Sequence, residues 1–135
     1  MAFMVWSDNL SVGVDQIDRQ HKRLVEILNA LHEAMLRGSH KQDLDRVMVD
    51  LLSYTRYHFG FEERLMVVAA YPDLPEHHRE HQALVAQVSG YAQQVAEGRA
   101  LVSIRLLKFL KQWWSQHIME TDQKFGEFEA ARKSA

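Results

Sequence analysis

In Tyr54-Thr55-Arg56-Tyr57-His58-Phe59-Gly60-Phe61-Glu62-Glu63-Arg64-Leu65, the residues about one helical turn apart are Tyr54, His58, Glu62 and Leu65. Carried back through Leu51 and Val47, this row has the three-to-four spacing of a helix with one buried face. A histidine and a glutamate therefore stand where a packed helix carries leucine. A carboxylate in a core is costly unless it is paired or coordinates a metal, so the row marks a helix that also carries chemistry.

Working outward, the sequence predicts a helix over about 41–70, with Gly60 as a place for one tight or irregular turn. Before it, Ile17, His21, Leu24, Leu28, Leu31 and Met35 repeat the spacing across 15–37, and Gly38 with Ser39 ends that segment. After it, Tyr71 to Pro75 (YPDLP) breaks the pattern, with Asp73 as an N-cap and Pro75 in the next first turn. A third helix over about 75–97 carries His77, His81, Leu84, Val88, Tyr91 and Val95, and Gly98 closes it. A fourth starts near Leu101 and carries Leu106, Leu110, Trp113 and His117 before Phe125. Gly126 leaves its end open, and residues 130–135 are expected to fray. Four helices of similar length with short connections predict an all-α fold, an antiparallel up-down-up-down four-helix bundle with a short N-terminal arm.

The 135 residues suit one domain spanning 1–135, because halves would be too small to hold good cores. An apolar share of 47% and a charged share of 25% fit a globular chain. The net charge of -2 comes from scattered residues, with no basic track for nucleic acid. With no cysteine, thiolate chemistry, disulfides and sulfur-ligated metal are excluded. Neither a secretory leader nor a span of membrane length is evident, so a cytoplasmic monomer without a membrane segment is expected.

Of eight histidines, His21, His58, His77, His81 and His117 fall on the apolar rows. In an antiparallel bundle the start of helix one, the late part of helix two, the start of helix three and the late part of helix four lie at one end. Imidazoles from four separated segments thus reach one level of one core. Glu62 shares the face of His58, as His81 shares that of His77. Imidazole and carboxylate together suit iron, manganese or zinc, whereas calcium and magnesium draw mostly oxygen ligands. In His117-Ile118-Met119-Glu120-Thr121-Asp122 the pattern leaves two acids open. At about 100° per residue Glu120 stays near the face of His117 and Asp122 rotates away, unless the helix widens there.

These residues resemble the hemerythrin family, and in particular its single-domain bacterial members. The resemblance is carried by Ile17, Asp18, Gln20 and His21; by His58, Phe59, Glu62 and Glu63; by Tyr71 and Pro72; by His77 and His81; and by His117, Ile118 and Asp122. It covers nearly the whole chain. It implies two iron ions with an oxo or hydroxo bridge: His77, His81 and His117 on one, His21 and His58 on the other, and Glu62 and Asp122 bridging both. The function it implies is reversible dioxygen binding for storage, transport or delivery, with an oxygen-consuming protein as an expected partner. Trp113, Ile118 and Leu24 are then candidate walls of an oxygen pocket, and Glu120 a candidate gate or proton route, against the plainer reading of a solvated side chain. Leu84 replaces a phenylalanine expected there. His32, His40 and His78 read as surface histidines, Glu63 as solvated with a supporting contact behind a ligand as the alternative, Trp6 as a cover over the bundle end and Trp114 as interhelical packing. A di-iron enzyme acting on peroxide or nitrogen oxides, and a sensor working through a partner, are the competing classes.

Overall fold

In a computed structural model that describes residues 2–38, 40–99 and 101–134, the chain is all-helical. Four long helical stretches follow an N-terminal 3-10 turn at Asp8–Leu10: α1 (Asp15–Leu36), α2 (Lys41–Ala69), α3 (Leu74–Ala96) and a last one built in pieces. Those pieces are α4 (Ile104–Gln116), a π-helical turn (His117–Asp122) and α5 (Gln123–Ser134). The apolar rows face one another, and Ile17, Leu28, Leu31, Met66 and Leu107 are wholly buried. Each such side chain contributes on the order of 1.5–3 kcal/mol relative to exposure. No helix among the described residues is long and apolar enough to cross a membrane.

The ends follow local chemistry. Gly38 ends α1 in a left-handed conformation (φ 67°); Ser39, its expected companion, lies outside the described residues. Ala70 terminates α2 at φ 53°, and the Tyr71 amide donates to the Met66 carbonyl at 2.9 Å. This folds the chain sharply into Tyr71–Asp73 and on to α3. Asp73 does stand at the α3 N-cap, but its side chain makes no capping bond.

Three expectations need correction. Gly60 causes no irregular turn, because α2 continues through it. The fourth helix begins at Ile104 rather than near Leu101, since the Ser103 hydroxyl accepts from the Leu106 amide at 3.3 Å and fixes the start. Gly126 does not weaken the end of that helix, which runs on to Ser134 instead of fraying from residue 130. The glycine is there for space: a Cβ at position 126 would lie 2.1 Å from the Val12 carbonyl oxygen.

That contact belongs to the docked N-terminal arm. The Met4 amide and carbonyl pair with the Asn29 side chain at 2.8 Å each, and Lys111 donates to the Phe3 carbonyl at 2.8 Å. Asp18 accepts from the Ser11 hydroxyl and the Val12 amide. Phe3 stacks on His32, so His32 is a docking surface for the arm. Trp6 is partly buried against the core, under the Lys22 ammonium.

Candidate metal centre

His21, in the second turn of α1, His58 and Glu62, late in α2, and His77 and His81, at the start of α3, meet His117 and Asp122 from the π-helical turn. All seven are at most 2% exposed. The antiparallel arrangement accounts for the level they share, and the π turn accounts for the last of them. A π helix closes its hydrogen bonds five residues on rather than four, so each residue turns less than in an α helix. Over His117–Asp122 this brings Asp122 beneath His117 and leaves Glu120 exposed, where its carboxylate accepts from Gln116 at 3.4 Å. The structure thus brings Asp122, and not Glu120, into the group of histidines.

Two overlapping sets of donor atoms lie close enough for each to hold one cation: Glu62, His77, His81, His117 and Asp122, and His21, His58, Glu62 and Asp122. The two carboxylates divide between the sets atom by atom. Glu62 Oε1 lies 2.9 Å from His77 Nε2 and 3.2 Å from His81 Nε2, and Asp122 Oδ1 lies 3.0 Å from His77 Nε2 and 3.1 Å from His117 Nε2. The opposite oxygens serve the other pair, with Glu62 Oε2 at 3.4 Å from His58 Nε2 and Asp122 Oδ2 at 3.1 Å from His21 Nε2.

These approaches are short, yet none is aligned as a hydrogen bond. His21 Nε2, His58 Nε2, His77 Nε2 and all four carboxylate oxygens are buried without a partner. Such a concentration of unsatisfied buried groups is far outside what a protein core tolerates. It is what convergent lone pairs look like when they point at shared centres instead of at one another. The donor set therefore fits two metal ions, each taking imidazole and carboxylate, a combination suited to iron.

Without metal, protons must balance the charge. Burial pushes the His77 and His117 imidazoles down, but the surrounding Asp122 and Glu62 carboxylates, joined by Glu80 at His117, lift them to about 9 and about 10. Burial and mutual repulsion raise the Glu62 carboxyl, and the rings of His58, His77 and His81 outweigh this and hold it low. Asp122 is likewise held well below its usual range, burial being overcome by His117 and its neighbours. His58 is lowered, because its burial dominates.

Three imidazoles are oriented from behind. His58 Nδ1 donates to Gln20 Oε1 at 2.7 Å, His81 Nδ1 to Glu63 Oε2 at 2.7 Å and His117 Nδ1 to Glu80 Oε1 at 2.6 Å. Carboxylate and amide oxygens only accept, so Nδ1 carries a proton in each ring and Nε2 is the atom left to face a metal. Glu63 is thus not simply solvated: its other oxygen contacts His78 Nδ1 at 2.5 Å, which ties that histidine in as well. Glu80 escaped the sequence reading, although it lies three residues after His77 and so on the same side of α3. Thr121 donates to Glu80 at 3.0 Å and joins the π turn to α3.

The aromatic surroundings are divided too. Phe59 stacks flat on His81 with centroids 3.7 Å apart, and Trp113 stacks on His117 at 4.5 Å. Trp114 is the tryptophan that borders the two-histidine side, 6.0 Å from His58 and 6.4 Å from His21. Leu24 and Ile118 are each 1% exposed within the core, and Leu84 is buried at 2%. His40 is exposed at the start of α2.

The family profile described as Hemerythrin HHE cation binding domain matches residues 12–128. The chain belongs to the hemerythrin family. A bacteriohemerythrin of Pseudomonas aeruginosa (strain LESB58) is 37% identical over 134 residues, covering 99% of this chain and 85% of that protein. One of Stenotrophomonas maltophilia (strain R551-3) is 36% identical over 127 residues, covering 94% and 82%. The myohemerythrin of Riftia pachyptila is 29% identical over 121 residues, covering 90% and 89%. A crystal structure of wild-type hemerythrin superposes with a TM-score of 0.89 at 28% identity, over 93% of this chain and 97% of that one. The likeness to hemerythrin therefore extends over most of the chain.

Proposed function

We propose that this chain binds dioxygen reversibly at a di-iron centre held by His21, His58, Glu62, His77, His81, His117 and Asp122. The observation that carries the reading is the split of each carboxylate, with one oxygen toward the set that holds three imidazoles and the other toward the set that holds two. Counting one atom per residue, the first set offers five donors and the second four. An oxo or hydroxo bridge would add one to each, completing six around one ion and leaving the other a free position on the His21 and His58 side. Together the two irons would supply the two electrons that bind one dioxygen, with no haem required.

The chain's own part is to hold and to exclude. Gln20, Glu63 and Glu80 fix the tautomers of His58, His81 and His117, so that geometry persists while charge changes. Trp114, Leu24 and Ile118 would form the dry walls on the side of the free position, with Trp113 backing His117 instead. A dry, apolar surround suits a carrier, which must retain its ligand without exposing it to water or to an organic co-substrate. Five imidazoles against two carboxylates also make a less carboxylate-rich site than oxygen-activating enzymes favour. Glu120, exposed and bonded to Gln116, is in our reading a solvated residue rather than a gate. The same reading takes the chain as a single-domain cytoplasmic monomer that stores oxygen or delivers it to an oxygen-consuming protein.

The test is an anaerobic oxygen titration of the iron-loaded, reduced protein followed by its optical spectrum. A charge-transfer band should grow to saturation at one dioxygen per two irons and vanish when oxygen is removed. Irreversible oxidation without a reversible phase would refute the reading.

A further inference from the structure

We propose that the acidic mouth between the start of α3 and the π-helical turn is the inlet through which a hydrated divalent cation reaches the cluster; this rests on the di-iron reading above. A cavity of about 100 Å³ opens there, lined by Asp73, Glu76, His77, Glu80, Thr121 and Lys124, with Tyr71 at its side. At roughly 30 Å³ per water it holds about three. His77 is the inner wall: its Nε2 faces the Glu62 and Asp122 carboxylates, and its Nδ1, on the other side of the ring, has no partner although the residue is only 2% exposed.

That unpartnered nitrogen sets this mouth apart. Among the five clustered imidazoles, His58, His81 and His117 have Nδ1 bound to a protein acceptor, and His21 and His77 do not. Of these two, His77 is the one that lines a described cavity. The approach to it is graded. Asp73 and Glu76 are exposed and, among the described residues, make no ion pair; Glu80 lies further in and leads to His117. Glu80 is paired with the His117 imidazole and His77 with the Glu62 and Asp122 carboxylates. The charge of the rim is therefore that of Asp73 and Glu76 against the Lys124 ammonium, and it stays negative even with about half a positive charge from the α3 N-terminus. Such a mouth concentrates cations and speeds their arrival.

Two other openings among the described residues approach the cluster, and both carry arginine. The groove between α2 and α3 that reaches His81 has Arg56 and Glu63 at its wall, with Phe59 lying flat on the His81 ring. The hollow beside Gln20 has Arg19. The only carboxylate in either lining, Glu63, is already engaged by His78 and His81, so neither opening offers a cation an unpaired carboxylate. The plain alternative for Asp73 and Glu76 is that they only complement the helix dipole, which would affect stability and leave metal uptake untouched.

The two are separated by mixing the metal-free full chain with Co(II) in a stopped-flow spectrometer and following ligand-field absorption to completion. Asp73→Asn/Glu76→Gln should slow loading about 10-fold, toward the low end of electrostatic rate effects, and flatten its dependence on ionic strength. The final stoichiometry should remain two ions per chain. Lys124→Gln should speed loading at an unchanged melting temperature, which separates the gain from a loosened bundle. Glu26→Gln/Glu33→Gln, the same charge change on the outside of α1, should leave the rate unchanged. Loading within twofold of the parent in the mouth variants, or an equal slowing in the α1 control, would overturn the inlet. A parent chain that takes up fewer than two ions would instead overturn the di-iron reading.

Discussion

Replacing Glu80 tests whether the acids behind the imidazoles tune the centre or merely decorate it. The carboxylate accepts from His117 Nδ1 at 2.6 Å and from the Thr121 hydroxyl at 3.0 Å, so one side chain both orients a proposed ligand and pins the turn that presents Asp122. Glu80→Gln keeps an acceptor for His117 and removes the charge. Charge-assisted hydrogen bonds are about twice as strong as neutral ones, and the net difference is about 1 kcal/mol. The side chain is 38% exposed, and solvent screening reduces the effect further. A loss of about threefold in metal affinity is expected for the glutamine. Glu80→Ala removes both contacts and should cost about 10- to 100-fold, the range usual for partners that orient metal-bound histidines. The assay is competition between the metal-free protein and a chromophoric chelator of known affinity, with circular dichroism to confirm the helical content. An alanine variant that binds both ions within twofold of the parent would refute the reasoning.

Other expectations follow from particular contacts. Asp122→Asn should abolish binding of at least one ion in the same competition assay, whereas Glu120→Leu should leave metal affinity and the autoxidation rate unchanged across pH; a pH-dependent slowing in the leucine variant would restore the gate. Gly126→Ala should lower stability by about 1–3 kcal/mol in urea melts, since the added methyl would strike the Val12 carbonyl, and this outweighs the usual gain of about 0.5–1 kcal/mol for alanine in a helix; unchanged or higher stability would contradict the close approach. For the metal-free protein, the raised His77 and His117 contribute stability that is complete below about pH 6.5, their ordinary value, and is lost as pH rises through about 9 and 10. Glu62 and Asp122, held low, contribute above their ordinary values of 4.5 and 3.8 and lose it on acidification. Melting temperature should therefore fall from pH 7 to pH 10 without metal and fall much less with it, because metal replaces the protons; a flat metal-free profile would count against the paired cluster.

The bundle and five converging histidines were legible because helical periodicity is a property of the chain, and an imidazole on an apolar row stands out against leucine. What the periodicity missed was whatever depends on departures from it. The π turn is one: a rule of about 100° per residue steers Asp122 away from the cluster, and only the widened helix brings it in. Gly126 is another, where a residue that weakens a helix in isolation is required by a backbone passing 114 positions away in sequence. Glu80 and Glu63 look like any acids on a solvated face, because their partners lie on other helices or behind a buried ring. Trp113 and Trp114 are adjacent, and the apolar row alone does not say which ring falls on which side of the centre.

The most direct measurement is anomalous-difference diffraction from crystals of the iron-loaded chain, collected on both sides of the iron absorption edge. Two iron peaks are expected, one within bonding distance of His77, His81 and His117, the other of His21 and His58, with an oxygen of Glu62 and of Asp122 on each. A single peak, or a second one away from His21 and His58, would contradict the account.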